Sequence, residues 1–349
     1  MDGQTASLTE VAQAHRFDAE SLAAYLQRAI EDFGSGMEIR QFQGGASNPT
    51  FLLTTDSGSK RYVMRKKPPG QLLASAHQVD REYRVMKALA GSGVPVPRMR
   101  ALCEDPAVIG TAFYVMDYLD GRIFRDAALP DVSPADRAAI YDELNATLAK
   151  LHQVDVQAIG LGDYGRPGDY FERQLARWTR QYRDAETEAI PAMETLIAEL
   201  GGRIPADRSV SIAHGDYRLE NVMFHPTEPR LIAVLDWELS TIGHPLADLG
   251  YNAFLWHSQG ASWGSLAGVD FTSSGITTEA EYVDAYRRRT GRAEIADWNF
   301  YLGFSVFRLA SISQGVYRRV LAGVAASERE AVNGAPALAE QALELLRRG

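Results

Sequence analysis

The sequence has little cysteine, no long hydrophobic run and no excess of basic residues. Its single cysteine, Cys103, has no partner for an intramolecular disulfide bond or a cysteine-based zinc cluster, which favours a reducing compartment. The first residues lack a basic segment followed by an apolar one, and no run of about 18 apolar residues occurs. We therefore expect a soluble, cytoplasmic protein without a membrane partner.

The charge balance is acidic. There are 45 Asp and Glu residues against 36 Lys and Arg, a formal net charge of -9, which argues against nonspecific binding to nucleic acid. With 349 residues, 46% of them hydrophobic, the chain can bury a sizeable core. It contains no internal repeat, which excludes solenoids and propellers. A globular protein of one or two domains is expected.

Hydrophobic periodicity predicts an order of elements. Asp18 is a candidate N-cap, and short β-like segments between Ile39 and Met64 predict an antiparallel meander. A further buried strand is expected at 112–119. Helical spacing is found near 18–33, 78–90, 134–152, 169–189, 279–290 and 296–322. Strands followed by helices indicate two lobes, 1–118 and 119–349.

One β-rich segment within the helical part carries the chemistry. It reads SVSIAHGDYRLENVMFHPTEPRLIAVLDWE and spans residues 209–238. The pattern predicts a strand that ends at Asp216, a hairpin that begins at Asn221, and a returning strand that delivers Asp236 with Glu238 on the same strand face. The hairpin is expected to bring Asp216, Asn221 and Asp236 close together.

These residue types suit phosphoryl transfer. Such a reaction needs a carboxylate that orients or deprotonates a hydroxyl, and hard oxygen ligands for Mg²⁺. Asp216 is the candidate base, and Asn221 and Asp236 are candidate metal ligands. Arg218 is positioned in the sequence to contact the transferred phosphate. The alternative is an acidic surface hairpin with a capping aspartate.

The motifs HGDYRLEN and LDWE resemble the aminoglycoside phosphotransferase family of small-molecule kinases, and the similarity extends from about residue 37 to 320. The segments YVMRKKPPG, REYRVMKAL and VPVPRM are more narrowly similar to phosphotransferase domains associated with acyl-CoA dehydrogenases. This resemblance implies an α+β, two-lobed protein-kinase-like fold with a small β-rich N-lobe and a larger, mainly helical C-lobe. It also implies ATP and Mg²⁺ as cofactors.

The resemblance also implies a phosphate-binding turn in the first lobe. Its candidates are Gly44, Gly45, Ser47 and Asn48, although GGASN equally suits an ordinary hairpin turn. On the next strand, Val63 is expected over the adenine and Arg65 at the phosphates. The kinase pattern has Lys where Arg65 falls, and Lys66 or Lys67 takes that role if the register differs by one or two residues.

Further positions follow from the same resemblance. Glu82 is expected to pair with the phosphate-binding cation, with a solvated helix carboxylate as the alternative. Met116 is expected beside the adenine, and the backbone of Asp117, Tyr118 and Leu119 is expected to form hydrogen bonds with the base. The choice of ATP over GTP rests on what is usual in the family. Asp248 is expected to brace the catalytic loop or to cap the next helix, and His214 to orient that loop.

One basic helix face is a candidate binding site for the acceptor. Arg173, Arg177 and Arg180 are either a solvated face or the binding site of an anionic acceptor, such as a hydroxyacyl-coenzyme A. The narrower resemblance favours a hydroxyacyl acceptor, and an acyl-CoA dehydrogenase as pathway partner. The alternatives are an aminoglycoside or other amino-alcohol kinase, and a nucleotide-binding, pseudokinase-like regulator without turnover.

Overall fold

The computed structural model describes residues 7–43, 48–68, 78–260, 264–323 and 332–348. The chain forms two compact units, which interleave along the sequence. The first, here called the sheet unit, contains Met1–Arg125, Ile159–Leu161 and Leu219–Ser240; the second, the helical unit, contains Asp126–Ala158, Gly162–Arg218 and Thr241–Gly349. A single boundary at residue 118 therefore does not describe these units, because the hairpin after Asn221 returns to the sheet unit.

The sheet unit is built on a six-stranded antiparallel sheet. Its strands are β1 (Leu8–Thr9), β2 (Glu38–Phe42), β3 (Thr50–Thr55), β4 (Lys60–Lys66), β5 (Met99–Cys103) and β6 (Phe113–Asp117), in the order β1-β2-β3-β4-β6-β5. The meander predicted between Ile39 and Met64 is confirmed as β2, β3 and β4. After a helix at Val79–Leu89, the chain continues into β5, which pairs with β6.

One face of the sheet is covered by α1 (Ala19–Ala29). Asp18 caps this helix as predicted, since its carboxylate accepts hydrogen bonds from the N–H groups of Glu20 and Ser21 at 3.0 Å. Leu22 and Leu26 are fully buried in the core against β3, β4 and β6. The helix ends before the predicted residue 33, because Ile30 is already extended and Asp32 has a φ of 56°.

The sheet unit also contains α2 (Val79–Leu89), the short α3 (Pro106–Ile109), and a two-stranded hairpin formed by β8 (Val222–Phe224) and β9 (Leu231–Val234). The apolar face of α2 is buried through Val79, Met86 and Leu89, as its spacing predicts. The N–H of Val234 donates to the carbonyl of Pro95 at 2.8 Å, which ties the hairpin to the chain just before β5.

The helical unit contains seven helices among the residues that the structure describes. They are α4 (Pro134–His152), α5 (Tyr170–Ala185), α6 (Pro191–Gly202), α7 (Pro245–Ala253), α8 (Glu279–Arg289), α9 (Trp298–Leu321) and α10 (Ala335–Arg347); β7 (Ser211–Ala213) pairs with β10 (Thr241–Gly243). The predicted helices near 134–152, 169–189, 279–290 and 296–322 are confirmed. Over the described ranges, no helix has both the length and the apolar character that a membrane span requires.

Candidate active site

Arg65 is the cation of β4 that lies among carboxylates. Its guanidinium donates to Glu82 at 2.8 Å and to Oδ1 of Asp236 at 2.9 Å from both terminal nitrogens. Lys66, the next residue, is buried near the Phe17 ring, and Lys67 lies 3.9 Å from Asp80. Of the three candidate cations, Arg65 is therefore the one in contact with Glu82.

Glu82 is a buried carboxylate with three hydrogen-bond donors. Besides Arg65, the Asn48 amide donates to it at 3.0 Å and the Tyr114 hydroxyl at 3.1 Å. The fully buried position of Glu82 excludes the alternative of a solvated helix carboxylate. Burial raises the pKa of Glu82 to about 7, with Arg65 acting in the opposite direction. Burial likewise opposes the charge of Arg65, but Tyr114 and the surrounding carboxylates outweigh it and raise the pKa of Arg65.

Asn48 joins the predicted phosphate turn to this network, since it holds Glu82 while its own carbonyl accepts from the Thr50 hydroxyl at 3.1 Å. Gly44, Gly45 and Ser47 lie outside the described residues. Their predicted part in phosphate binding stays a prediction.

The segment predicted to read the base, Asp117 to Leu119, begins at the last residue of β6. Val63 is buried and pairs with Met116 across the strands, and the predicted place of both beside the adenine stays a prediction. The Asp117 carboxylate is bound by Arg100 at 2.5 and 3.0 Å, and the N–H groups of Asp117 and Tyr118 donate to neighbouring backbone carbonyls. Among the described residues, the N–H of Leu119 makes no backbone hydrogen bond.

The β8–β9 hairpin brings Asn221 and Asp236 to adjacent positions. Asn221 ends a short 3₁₀ turn before β8, and its carbonyl accepts from the N–H of Leu235 at 2.8 Å. Asp236 then adopts a φ of 62°, which is rare for a residue other than glycine. The placement of Glu238 on the same strand face is wrong: β9 ends at Val234, and Glu238 lies in a 3₁₀ turn, 3.7 Å from Arg65.

In the helical unit, Asp248 braces the loop that contains Asp216. Its carboxylate accepts from the N–H groups of His214 at 2.6 Å and Gly215 at 2.9 Å, and lies 3.3 Å from Nε2 of His152. Nδ1 of His214 accepts in turn from the N–H of Asp216 at 3.2 Å. Burial alone raises the pKa of Asp248, but the hydrogen bonds from His152 and Gly215 lower it below its usual value.

We expect Asp248→Asn to destabilise the protein by about 2–4 kcal/mol, because the amide NH₂ faces buried donors that the carboxylate now satisfies. Chemical denaturation measures this loss, and kcat should fall with it as the loop at 214–216 loosens. The control is Asp131→Asn, at an exposed aspartate. Equal stability of the two variants would contradict the bracing role.

Asp216 carries a contact that the sequence analysis did not predict. The Tyr251 hydroxyl donates to its carboxylate, while Nε of Arg218 lies 4.0 Å away. The Asp216 side chain remains 25% exposed. Burial, followed by the charge of Asp216, raises the pKa of Tyr251, so Tyr251 stays a neutral donor. One sequence signal pointed to Tyr251: it lies three residues after Asp248, which places both side chains on the same side of α7.

The three arginines of α5 have different surroundings. Arg173 donates to the carbonyls of Arg166 and Gly168 and so fixes the chain before the helix. Arg177 lies over the ring of Trp178, with its Cζ 5.3 Å from the ring centroid. Arg180 is exposed.

Comparison with known proteins agrees with this geometry. The family model described as "Phosphotransferase enzyme family" matches residues 38–301. The chain belongs to the phosphotransferase enzyme family. A crystal structure from Ralstonia eutropha, described as a candidate aminoglycoside phosphotransferase, is 50% identical, has a TM-score of 0.87, and is matched over 95% of this chain and 99% of that one.

Curated relatives of this phosphotransferase are longer proteins. Acyl-CoA dehydrogenase family member 11 of Homo sapiens is 45% identical over 98% of this chain, and family member 10 of Mus musculus is 46% identical over 88%. The chain spans 44% and 29% of their respective lengths. Choline kinase of Cryptosporidium parvum shares the fold, with a TM-score of 0.63 at 14% identity, over 94% of this chain and 95% of the other. The predicted kinase-like fold is confirmed.

The Mg²⁺ expected in this family can be tested against the donor atoms. Within the described ranges, no cluster of three or more His, Cys, Asp or Glu is arranged to hold a metal ion. Mg²⁺ is usually bound by one or two carboxylates together with substrate phosphates and water. Asn221 supplies an amide oxygen, and Oδ2 of Asp236 accepts no hydrogen bond from the described residues. This pair fits a Mg²⁺ shared with a nucleotide.

Proposed function

We propose that this phosphotransferase is a small-molecule kinase that transfers the γ-phosphoryl group of ATP to a hydroxyl of a metabolite. The observation that carries the proposal is the network of Arg65 between Glu82 and Asp236 in the sheet unit. A buried cation fixed by a helix carboxylate, with a second carboxylate after a β-hairpin, is the arrangement that protein kinases use for phosphoryl transfer from a nucleotide.

The sheet unit is assigned to the nucleotide. Arg65 would bind its phosphates, and Glu82 holds Arg65 in place. Val63 and Met116 would contact the base, and the N–H of Leu119 would donate to it. Asn221 and Asp236 would hold Mg²⁺, which neutralises charge on the phosphates when bound.

The helical unit is assigned to the acceptor. Asp216 would accept the proton of the attacking hydroxyl and orient that hydroxyl for in-line attack. Tyr251 donates to Asp216 and limits the rotation of its carboxylate. Arg218 lies close enough to Asp216 to balance charge on the transferred group.

A hydroxyacyl compound is the proposed acceptor class. The high identity to proteins named as acyl-CoA dehydrogenase family members supports an acyl-coenzyme A metabolite, and an acyl-CoA dehydrogenase as the enzyme that acts in the same reaction sequence. Because this chain covers less than half of those proteins, their activities remain proposals for this chain.

The test is ADP release by the purified protein with Mg-ATP against a panel of acceptors. The panel contains 3- and 4-hydroxyacyl thioesters, the free acids, choline, homoserine and several aminoglycosides. We expect turnover with the hydroxyacyl compounds. Turnover with choline or aminoglycosides alone would replace this acceptor class by an amino alcohol, and Mg-ATP binding without turnover would favour a regulator.

A further inference from the structure

Two arginines of the helical unit share one aromatic ring. Arg177 on α5 and Arg308 on α9 have their Cζ atoms 5.3 and 5.4 Å from the centroid of the Trp178 indole. Trp178 is buried and fixed in the core. Guanidinium groups stack favourably on indole faces, so the ring fixes both cations in position.

Among the residues that the structure describes, no carboxylate balances the charges of these two arginines. Within the described parts of the chain, neither Arg177 nor Arg308 forms an ion pair or a hydrogen bond with Asp or Glu, and Nε of Arg308 is buried without a hydrogen-bond partner. Other arginines of this unit are balanced: Arg289 binds Asp142 and Arg292 binds Asp207. Although much of the Arg177 side chain is exposed, the desolvation of its guanidinium lowers its pKa, and the charge of Arg308 lowers that pKa further.

The pair is connected to the candidate base. Arg308 also lies over the ring of Tyr251, with its Cζ 5.4 Å from the centroid, and the Tyr251 hydroxyl donates to Asp216. Arg308 therefore lies one side chain away from the carboxylate that is assigned to the acceptor hydroxyl. Arg177 is exposed and Arg308 is partly exposed, so a ligand can reach both.

We propose that Arg177 and Arg308 form a subsite for an oxyanion, a carboxylate or phosphate, carried by the acceptor. An oxyanion between two guanidinium groups relieves their repulsion and accepts their fork-shaped hydrogen bonds. The site fixes the distance between the anion of the acceptor and its reacting hydroxyl. That this ligand is the acceptor rests on the proposed function; the binding of an anion does not. Arg173 is excluded, because its guanidinium is bound to backbone carbonyls.

Binding without nucleotide tests the subsite directly. Calorimetry with coenzyme A and, separately, with 3-hydroxybutyrate is compared for the unmodified protein, Arg177→Gln and Arg308→Gln. We expect each substitution to weaken binding about tenfold to a hundredfold. Arg319→Gln, at an exposed arginine of the same helix α9, is the matched control and should bind unchanged. If binding of coenzyme A depends on the two arginines, the ligand group is a phosphate. If binding of 3-hydroxybutyrate depends on them, the ligand group is a carboxylate.

A kinetic comparison separates this proposal from the proposed function. Transfer to 3-hydroxybutyrate is compared with transfer to its uncharged amide; Arg177→Gln should raise KM for the acid and leave KM for the amide unchanged. Failure of both probes to bind, or equal KM changes for acid and amide, would overturn the subsite while kinase activity stands. Arginine-dependent binding without any transfer would support the subsite and refute the kinase. Because Arg308 is partly buried, its variant is used only if its unfolding temperature is unchanged, and Arg177→Gln carries the test otherwise.

Discussion

Asp216→Asn is expected to lower kcat by about a thousandfold or more while the Kd for Mg-ATP stays within about twofold. The amide cannot accept the proton of the hydroxyl, yet it retains the size of the carboxylate and can still accept the hydrogen bond from Tyr251. The nucleotide is assigned to the sheet unit, to which Asp216 does not belong. Single-turnover kinetics and equilibrium binding of Mg-ATP measure the two quantities.

The matched control for this experiment is Asp131→Asn, which removes an exposed carboxylate of the same unit and should leave both kcat and Kd unchanged. If Asp216→Asn kept more than a few per cent of kcat, Asp216 would not be the base. If it lost Mg-ATP binding instead, Asp216 would belong to the nucleotide site, and the division of roles between the units would be wrong.

Arg65→Met is expected to reduce both stability and nucleotide affinity. Without the guanidinium, the carboxylates of Glu82 and Asp236 lose the cation that now binds both of them. Removal of one partner from a buried ion pair costs about 3–5 kcal/mol, and Arg65 is only 12% exposed. Denaturation in urea measures the free energy of unfolding, and calorimetry measures the Kd for Mg-ATP.

Two further variants sharpen the Arg65 experiment. Arg65→Lys restores the charge but cannot donate two parallel hydrogen bonds, so we expect partial recovery of stability and of affinity. Arg40→Met removes a half-exposed arginine of β2 that pairs with Glu10 at 3.2 Å, and should cost less than about 1 kcal/mol. A stable Arg65→Met variant with unchanged Mg-ATP affinity would refute the assignment of Arg65 to the phosphates.

The sequence predicted those parts of the structure that local patterns determine. Alternation on β4 placed Val63 and Arg65 on one face, and the carboxylate of Glu82 on α2 meets that face. Apolar spacing located α4, α5, α8 and α9. The helix α7 was missed because nearly all of it is buried, which removes the polar face on which helical periodicity depends.

Local sequence patterns could not predict the long-range contacts. Tyr251 follows Asp216 by 35 positions, and Arg308 meets Trp178 across two helices that are separated by more than a hundred residues. The contact between Arg308 and Trp178 leaves no trace in spacing, and the spacing of Tyr251 from Asp248 indicates a shared helix face but not the contact with Asp216. The predicted position of Glu238 was wrong for another reason. The φ of 62° at Asp236 turns the chain out of the strand direction, and in a sequence such a turn is usually indicated only by a glycine.

The central claim is that the protein transfers the γ-phosphoryl group of ATP to an acceptor hydroxyl, and the most direct test is to identify the product that contains the γ-phosphorus. ³¹P NMR of the protein with Mg-ATP and a hydroxyacyl acceptor follows every phosphorus atom in one sample. We predict that the γ-phosphate signal of ATP is replaced by one phosphate monoester signal on the acceptor, equal in amount to the ADP formed and absent with Asp216→Asn. Inorganic phosphate as the sole product, or an unchanged spectrum although Mg-ATP is bound, would contradict the assignment as a small-molecule kinase.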